Sequence, residues 1–476
     1  MTSRRTRSPL LFPVLFAPFF MVILDIFIVN VTAPSLQAEL GASESDVQWV
    51  VAAYLLTYAI SLITGGRLGD VYGRRRLFRI GVAGFTIASA LCAAAPTPTA
   101  LIVARLVQGF AGAAMWPQVL SIIQVEMEPH ERPRAFGIQG LVAGIGSTTG
   151  QIVGGGLIAL DLLGLGWRSV FLINIPVGLL ALLGSGRVIS ESRSETARTL
   201  DLAGVALGSL ALVLAMVPLV EGRELGWPVW AFAALAAALP AAVLFVALER
   251  RIAARGGSPL VELRLLEAPS FRIGVLSALI LYGVISFFLL LSFYLQGGLG
   301  LSAIDSGLAF TPLAAAFAAS SIGAPRLGER RREQLPQAGA TLAAIGLLGT
   351  IAVIKGGGGS VSVELLAALV VVGAGMGMAI PGLINLSLRA VPPSDAGAAS
   401  GMLTTSQQIG NALGVALVGT IFFAALGSRS GAAAYGDALS AAMAVQVVLA
   451  LAAAALVTRA PRPALAEAEP TPAPAD

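Results

Sequence analysis

A chain of 476 residues that is 56% hydrophobic and only 12% charged cannot fold as a water-soluble globule, because soluble domains carry roughly 25% charged side chains. The net charge of +4 is dispersed over short loops, which excludes a nucleic-acid surface and points to membrane topology. One cysteine (Cys92) and one histidine (His130, in the polar loop MEPHERPR) exclude an intramolecular disulfide and a Cys/His metal site, and no cofactor is expected.

In chain order, residues 1–9 form a basic N-terminus with Arg4, Arg5 and Arg7. The apolar run from Pro9 to Val31 is longer than the roughly 7–15-residue core of a signal peptide and contains Asp25, so it reads as a retained first span. Continuous apolar stretches near the ~20 residues of a membrane helix then recur. They lack the alternation of barrel strands, and a helix satisfies its own backbone in lipid. The expected class is an all-α integral membrane protein of about fourteen transmembrane helices. Six spans lie near 10–33, 47–66, 78–97, 100–124, 136–160 and 168–189, two near 202–220 and 228–248, and six near 272–296, 304–325, 338–355, 363–388, 399–425 and 438–458.

Arginines fix the expected orientation. Arg74–Arg76 and Arg79, Arg132 and Arg134, Arg187, Arg193 and Arg198, Arg250, Arg251 and Arg255, and Arg326 with Arg330–Arg332 fall in alternate loops, with Arg168, Arg223, Lys355 and Arg429 as exceptions on the other side. The positive-inside rule places those loops and both termini in the cytoplasm. Two faint repeats, GRLGDVYGRRR after the second span and GAPRLGERRR after the tenth, suggest two six-helix halves. The expected division is a first bundle over 10–190, two inserted helices with flanking loops over 191–255, a second bundle over 256–458, and a Pro/Ala-rich disordered tail over 459–476.

Asp25 is the strongest candidate for chemistry: an acid within a span is costly there, desolvation favours its neutral form, and such residues carry function by default. Arg105 is embedded too, with Gln108 on the same helical face, and reads either as a structural hydrogen-bond hub or as part of proton handling. Asp70 and Arg74 sit among Gly66, Gly69 and Gly73, glycines that allow tight turns and close helix approach. Gly146, Gly150, Gly154 and Gly155 form a small-residue row for close packing. Asn30, Gln108, Trp116, Gln151, Gln407, Gln408 and Asn411 are candidate cavity residues, and Phe287, Phe288 and Tyr294 are further aromatics able to stack on a substrate. No Gly-Lys-Ser/Thr phosphate loop occurs, which argues against an ATP-driven pump.

These stretches resemble the major facilitator superfamily, and within it the 14-helix drug:proton antiporter branch of multidrug efflux type. The resemblance rests on Gly66–Arg76, on Leu24–Pro34 of the first span, on Arg105-Leu106-Val107-Gln108-Gly109 with Gly112-Ala113, and on Trp167-Arg168, Phe171, Asn174, Pro176 and Gly178. It implies proton coupling through Asp25 and Arg105, and a conformational latch at Gly66, Asp70, Gly73 and Arg74. It departs at Gln151, where the antiporter motif has proline. The resemblance implies a secondary transporter, not an enzyme, that exports small lipophilic or cationic compounds as a monomer of the bacterial cytoplasmic membrane. Proton-coupled uptake of a metabolite is the alternative, and a membrane-embedded transferase is a more distant one.

Overall fold

The computed structural model describes residues 10–127, 152–161, 164–193, 201–324, 333–357, 360–389 and 396–461, together with residues 138, 142, 146, 149, 150 and 391. Helices dominate and no strand occurs among them. In chain order they are α1 (Leu11–Leu40), α2 (Glu44–Tyr72), α3 (Arg74–Ala94), α4 (Pro98–Glu126), α5 (152–160), α6 (Gly166–Val188), α7 (Leu202–Glu221), α8 (Val229–Ala254), α9 (Pro269–Gly298), α10 (Ala303–Gly323), α11 (Leu335–Lys355), α12 (Val363–Leu388), α13 (Ala396–Leu426) and α14 (Ala432–Val457). Twelve helices among the described residues are long and apolar enough to cross a bilayer, and α2, bent by 49° between Leu62 and Thr64, makes a thirteenth. The count of fourteen is not reached, because the expected span 136–160 falls largely outside the described residues. His130, Gln151, Arg132, Arg134 and Arg198 also lie outside them, as do Arg326, Arg330–Arg332 and the tail beyond 461.

Several helices run past their apolar windows because polar residues end them. Ser43 and Asp46 form a reciprocal capping box ahead of α2, with bonds of 3.1 and 2.9 Å. Thr97, Asp201, Ser302 and Ser362 cap α4, α7, α10 and α12. Gly73, at φ +111°, turns the chain between α2 and α3 where a side chain would be strained.

α2 packs on α4, α3 on α4 and α6, and α1 on α6. In the later part, α11 packs on α12 and α14, α10 on α12, and α9 on α13 and α14. α2 and α13 then meet across the two groups. α1 and α9 share an irregularity, a 3-10 segment at Val29–Thr32 in one and at Gly283–Ser286 in the other. Small residues set the spacing: a Cβ added at Gly65 would stand 2.1 Å from the Ala113 carbonyl, and one at Gly410 would stand 2.1 Å from that of Leu279. Van der Waals packing of this kind, rather than apolar burial, joins helices in lipid.

α7 and α8 lie at the periphery, with only 22% and 11% of their apolar windows buried. The turn between them is nevertheless strapped to both groups. Glu224 accepts from the Ser45 N–H and hydroxyl, each at 2.9 Å, Glu221 accepts from Trp49 Nε1, and Arg223 pairs with Glu44, all on α2. On α13, Thr420 donates to the Leu219 carbonyl and Phe423 lies 5.9 Å from the Arg223 guanidinium. The other basic residues of this arginine-poor end are engaged too. Lys355 and Arg429 reach Asp437 at 2.5 and 3.5 Å, and Arg168 stacks on Trp167 at 4.4 Å.

Gly65→Ala is expected to destabilise the protein by about 1–3 kcal/mol through overpacking, lowering its thermal unfolding midpoint in detergent. Gly323→Ala, where a Cβ meets open space, leaves the midpoint unchanged or raised.

Candidate functional site

Four helices bring one polar side chain or more to a single point inside the first group. Asp25 of α1 is fully buried and pairs with Arg105 of α4, also fully buried, through Oδ2 and Nη1. Its other oxygen, Oδ1, accepts from Gln108 Nε2 at 3.0 Å and from Asn174 Nδ2, on α6, at 3.1 Å. Ser89 of α3 closes the ring, with Gln108 and Asn174 amides at 2.8 and 3.2 Å from its hydroxyl. Arg105 Nη1 also donates to Gln108 Oε1 at 2.7 Å, and Nε donates to the Val50 carbonyl of α2 at 2.9 Å. The guanidinium lies 4.3 Å from the Tyr54 ring centre and 5.8 Å from that of Phe171.

A charge taken this far from water persists only when paired and hydrogen-bonded. Arg105 and Gln108 are a turn apart, so one helix face supplies both partners of Asp25. Satisfaction is incomplete, however: Arg105 Nη2, Tyr54 Oη and Asn174 Oδ1 are buried without hydrogen-bond partners. A network with spare donors and acceptors can re-form around a changed charge. Proton uptake by Asp25 would cancel the attraction holding Arg105 Nη1 and turn one carboxylate oxygen into a donor.

One peptide away lies a small cavity between the two helix groups. Ile26, Phe27 and Asn30 of α1 and Val51 of α2 line one side. Ile285, Ser286 and Leu289 of α9 with Asn411 and Val415 of α13 line the other. Ile26 and Val51 adjoin Asp25 and Val50, so the ion-pair network and the cavity share a wall. The lining is apolar apart from Asn30, Ser286 and Asn411.

The other candidates are distributed. Gln108 belongs to the ion-pair network rather than to the lining. Trp116 is buried against Phe19, ring centres 4.0 Å apart, away from the cavity. Gln407 and Gln408 are buried on α13 a turn before Asn411 and do not line the cavity. Phe288 stacks on Phe310 at 5.5 Å and meets Phe27 edge-on at 5.2 Å, while Phe287 and Tyr294 are buried. Added Cβ atoms at Gly146, Gly150 and Gly154 would press on Ile23, Phe27 and Val31 of α1, and one at Gly155 would stand 2.3 Å from the Ala303 carbonyl of α10.

At the arginine-rich end, Asp70 pairs with Arg74 at 2.7 Å, half-exposed. Glu191, just past α6, accepts from the Arg75 and Arg76 backbone N–H groups, both at 3.1 Å, at the start of α3. There the helix dipole favours an anion. Asn174, Ser89 and Glu191 carry contacts that sequence reasoning assigned to no role. Asn174 was visible as a lone amide in an apolar span, whereas Ser89 resembles any helix serine.

The family model for the Major Facilitator Superfamily matches residues 15–415. The probable actinorhodin transporter of Streptomyces coelicolor is 42% identical over 86% of this chain and 72% of its own length. The puromycin resistance protein pur8 of Streptomyces alboniger is 37% identical over 86% and 80%. The crystal structure of a bacterial homologue of the human lysosomal transporter Spinster, inward-facing and unoccupied, aligns at TM-score 0.68 and 20% identity, covering 96% of this chain and 97% of the other; that likeness shows the fold. The chain belongs to the Major Facilitator Superfamily and is a multi-pass membrane protein.

Asp25→Asn or Arg105→Gln alone strands a buried charge and is expected to cost about 3–5 kcal/mol. The double variant should lose less than the two single losses together, as unfolding midpoints in a double-mutant cycle would show.

Proposed function

We propose that this member of the superfamily exports small lipophilic or cationic compounds across the bacterial cytoplasmic membrane in exchange for protons. The observation that carries the reading is the buried Asp25–Arg105 pair behind the wall of a cavity lined from both helix groups. The relatives support the substrate class, since one is named a probable actinorhodin transporter and another a puromycin resistance protein. Nothing in the site resembles a convergent His, Cys or Ser set for covalent chemistry, and we read the protein as a transporter rather than an enzyme.

In this reading residues 10–190 and 256–458 are two six-helix halves, 191–255 carry the inserted helices, and the protein works as a monomer in lipid. The arginine-rich end, with both termini, faces the cytoplasm. Cross-half contacts at the opposite end then close the cavity to the outside: Gln296 donates to the Val31 carbonyl at 3.2 Å, Gly155 abuts Ala303, and Gly419 abuts Gln48. Compound enters from the cytoplasm, and its apolar surface is matched by Ile26, Val51, Ile285 and Leu289. After the halves rock, an external proton binds Asp25, loosens Arg105 and favours release and return. Asp70, Arg74 and the glycines Gly66 and Gly73 hold α2 to α3 at the cytoplasmic end and act as the latch between access states. Asp25 is the carboxylate behind the cavity wall, which suits neutral and monocationic substrates.

Inside-out vesicles containing the protein should accumulate a fluorescent lipophilic cation when energised, and a protonophore should abolish the uptake. Asp25→Asn should remove proton-driven accumulation. Accumulation by Asp25→Asn equal to that of the native chain, still sensitive to protonophore, would move the proton site elsewhere. No movement of such cations by the native chain would replace the substrate class.

A further inference from the structure

At the arginine-rich end of the inserted pair lies a second set of buried acids, on which the transport reading above does not call. Asp201 caps α7: its Oδ1 accepts from the Gly204 N–H at 2.8 Å. Glu249, in the last turns of α8 beyond the apolar stretch 228–248, accepts through Oε2 from the Val261 N–H at 2.7 Å. Each carboxyl thus spends one oxygen on a backbone donor. The remaining oxygens, Asp201 Oδ2 and Glu249 Oε1, are buried with no donor. They converge, since a Cβ placed on Gly204 would stand 2.4 Å from both. Glu249 is 0% exposed and Asp201 9%, so bulk water does not provide the missing donor.

Two carboxylate oxygens facing each other without a donor cannot both be charged at ordinary cost, because each is desolvated and each repels the other. One proton resolves the arrangement. Placed on either oxygen, it makes a single O–H···O bond to a charged acceptor, which is short and strong, and it satisfies both atoms. Among the described residues, the charged groups facing Glu249 are Asp201 from α7 and Arg67 from α2. Arg67 donates to neither free oxygen; its Nη1 and Nη2 donate to the Ser258 and Pro259 carbonyls.

We infer that Asp201 and Glu249 form a second proton-binding site, holding one proton between Asp201 Oδ2 and Glu249 Oε1, separate from Asp25. The ligand is a proton drawn from the arginine-rich side, and binding makes one O–H bond with no other group consumed. The site joins three pieces of the chain. It holds the start of α7 to the end of α8, and through Val261 it holds the segment leading to α9. That segment is in turn gripped by Arg67, three residues before Asp70 on α2. Loss of the proton sets Asp201 and Glu249 against each other and leaves Arg67 as the nearby cation able to compensate, at the expense of its hold on Ser258 and Pro259. Gly204 is required, because any side chain there would occupy the point where the two oxygens meet.

The test is infrared difference spectroscopy of the full-length protein in lipid between near-neutral and alkaline buffers. The acid arm is kept above about pH 6, where exposed carboxyls with ordinary values near 4 are already ionised. The native chain should show a buried carboxylic acid C=O band that disappears on alkalinisation. Asp201→Asn keeps the helix cap, since asparagine is an equally good capping residue, and its amide supplies Glu249 with a donor. Glu249→Gln does the same for Asp201. Both variants should lose the band while Asp25→Asn keeps it. A band unchanged in Asp201→Asn and Glu249→Gln, or one abolished by Asp25→Asn alone, would overturn the inference and leave the transport reading standing.

Discussion

The pairing of Asp25 with Arg105 organises the first half of the molecule. Neither charge can remain inside a bundle surrounded by hydrocarbon unless the other is within hydrogen-bond reach, and together they still need neutral donors and acceptors to complete their shells. Ser89, Gln108, Asn174 and the Val50 carbonyl meet that need from α3, α4, α6 and α2. The helices that pack on one another are thus also those that share the network. Gly146, Gly150 and Gly154 of the fifth span approach α1 closely at Ile23, Phe27 and Val31. Three polar atoms nearby lack partners, so this core is not a fully satisfied structural hub. Unpartnered polar atoms in a low-dielectric interior cost stability.

The inserted pair α7 and α8 poses a different physical problem. Its apolar surface faces lipid almost everywhere, so its middle has little to bind, and its position must be fixed at the ends. At the arginine-poor end three consecutive-turn side chains, Glu221, Arg223 and Glu224, hold α2, while Leu219 and Arg223 touch α13. Because α2 and α13 belong to different helix groups, these contacts bridge the two groups at the arginine-poor end. At the other end Asp201 and Glu249 join the pair to the segment entering α9. The peripheral helix pair is thus held at both polar ends, and Met216 of α7 is buried in the core as well.

Composition and apolar spacing made the helical membrane class and nearly every span legible, because lipid imposes a length and a polarity that any sequence must obey. The α2 and α4 helices run longer than their apolar windows, since Ser43, Thr97 and Gly73 rather than the bilayer decide where they stop. Asp25, Arg105 and Gln108 stood out as polar residues in apolar runs, and the 105/108 spacing showed that they share a face. Their meeting with Asp25, and the parts played by Ser89 and Asn174, depend on which helices are neighbours, and no local pattern encodes that. Trp116 looked like a substrate aromatic for the same reason. Only the position of Phe19 on another helix reveals that it packs. Asp201 and Glu249 drew no notice in the sequence, because burial at a helix end is set by the segment folded over it, here Val261 and its neighbours.

The two halves repeat a bond but not its charge. Asn174, on the last helix of the first half, donates to Asp25 on that half's first helix. Gln446, on the last helix of the second half, donates to Ser286 on its first helix at 3.0 Å. Both first helices carry a 3-10 segment beside the cavity, so the same framework supports an acid on one side and a hydroxyl on the other. An amide bound to a hydroxyl has no charge to neutralise and needs no arginine, and the second half accordingly has no counterpart of Arg105 among its buried residues. A buried ion pair thus lies behind one wall of the cavity, while the facing wall offers neutral polar groups within an apolar surface.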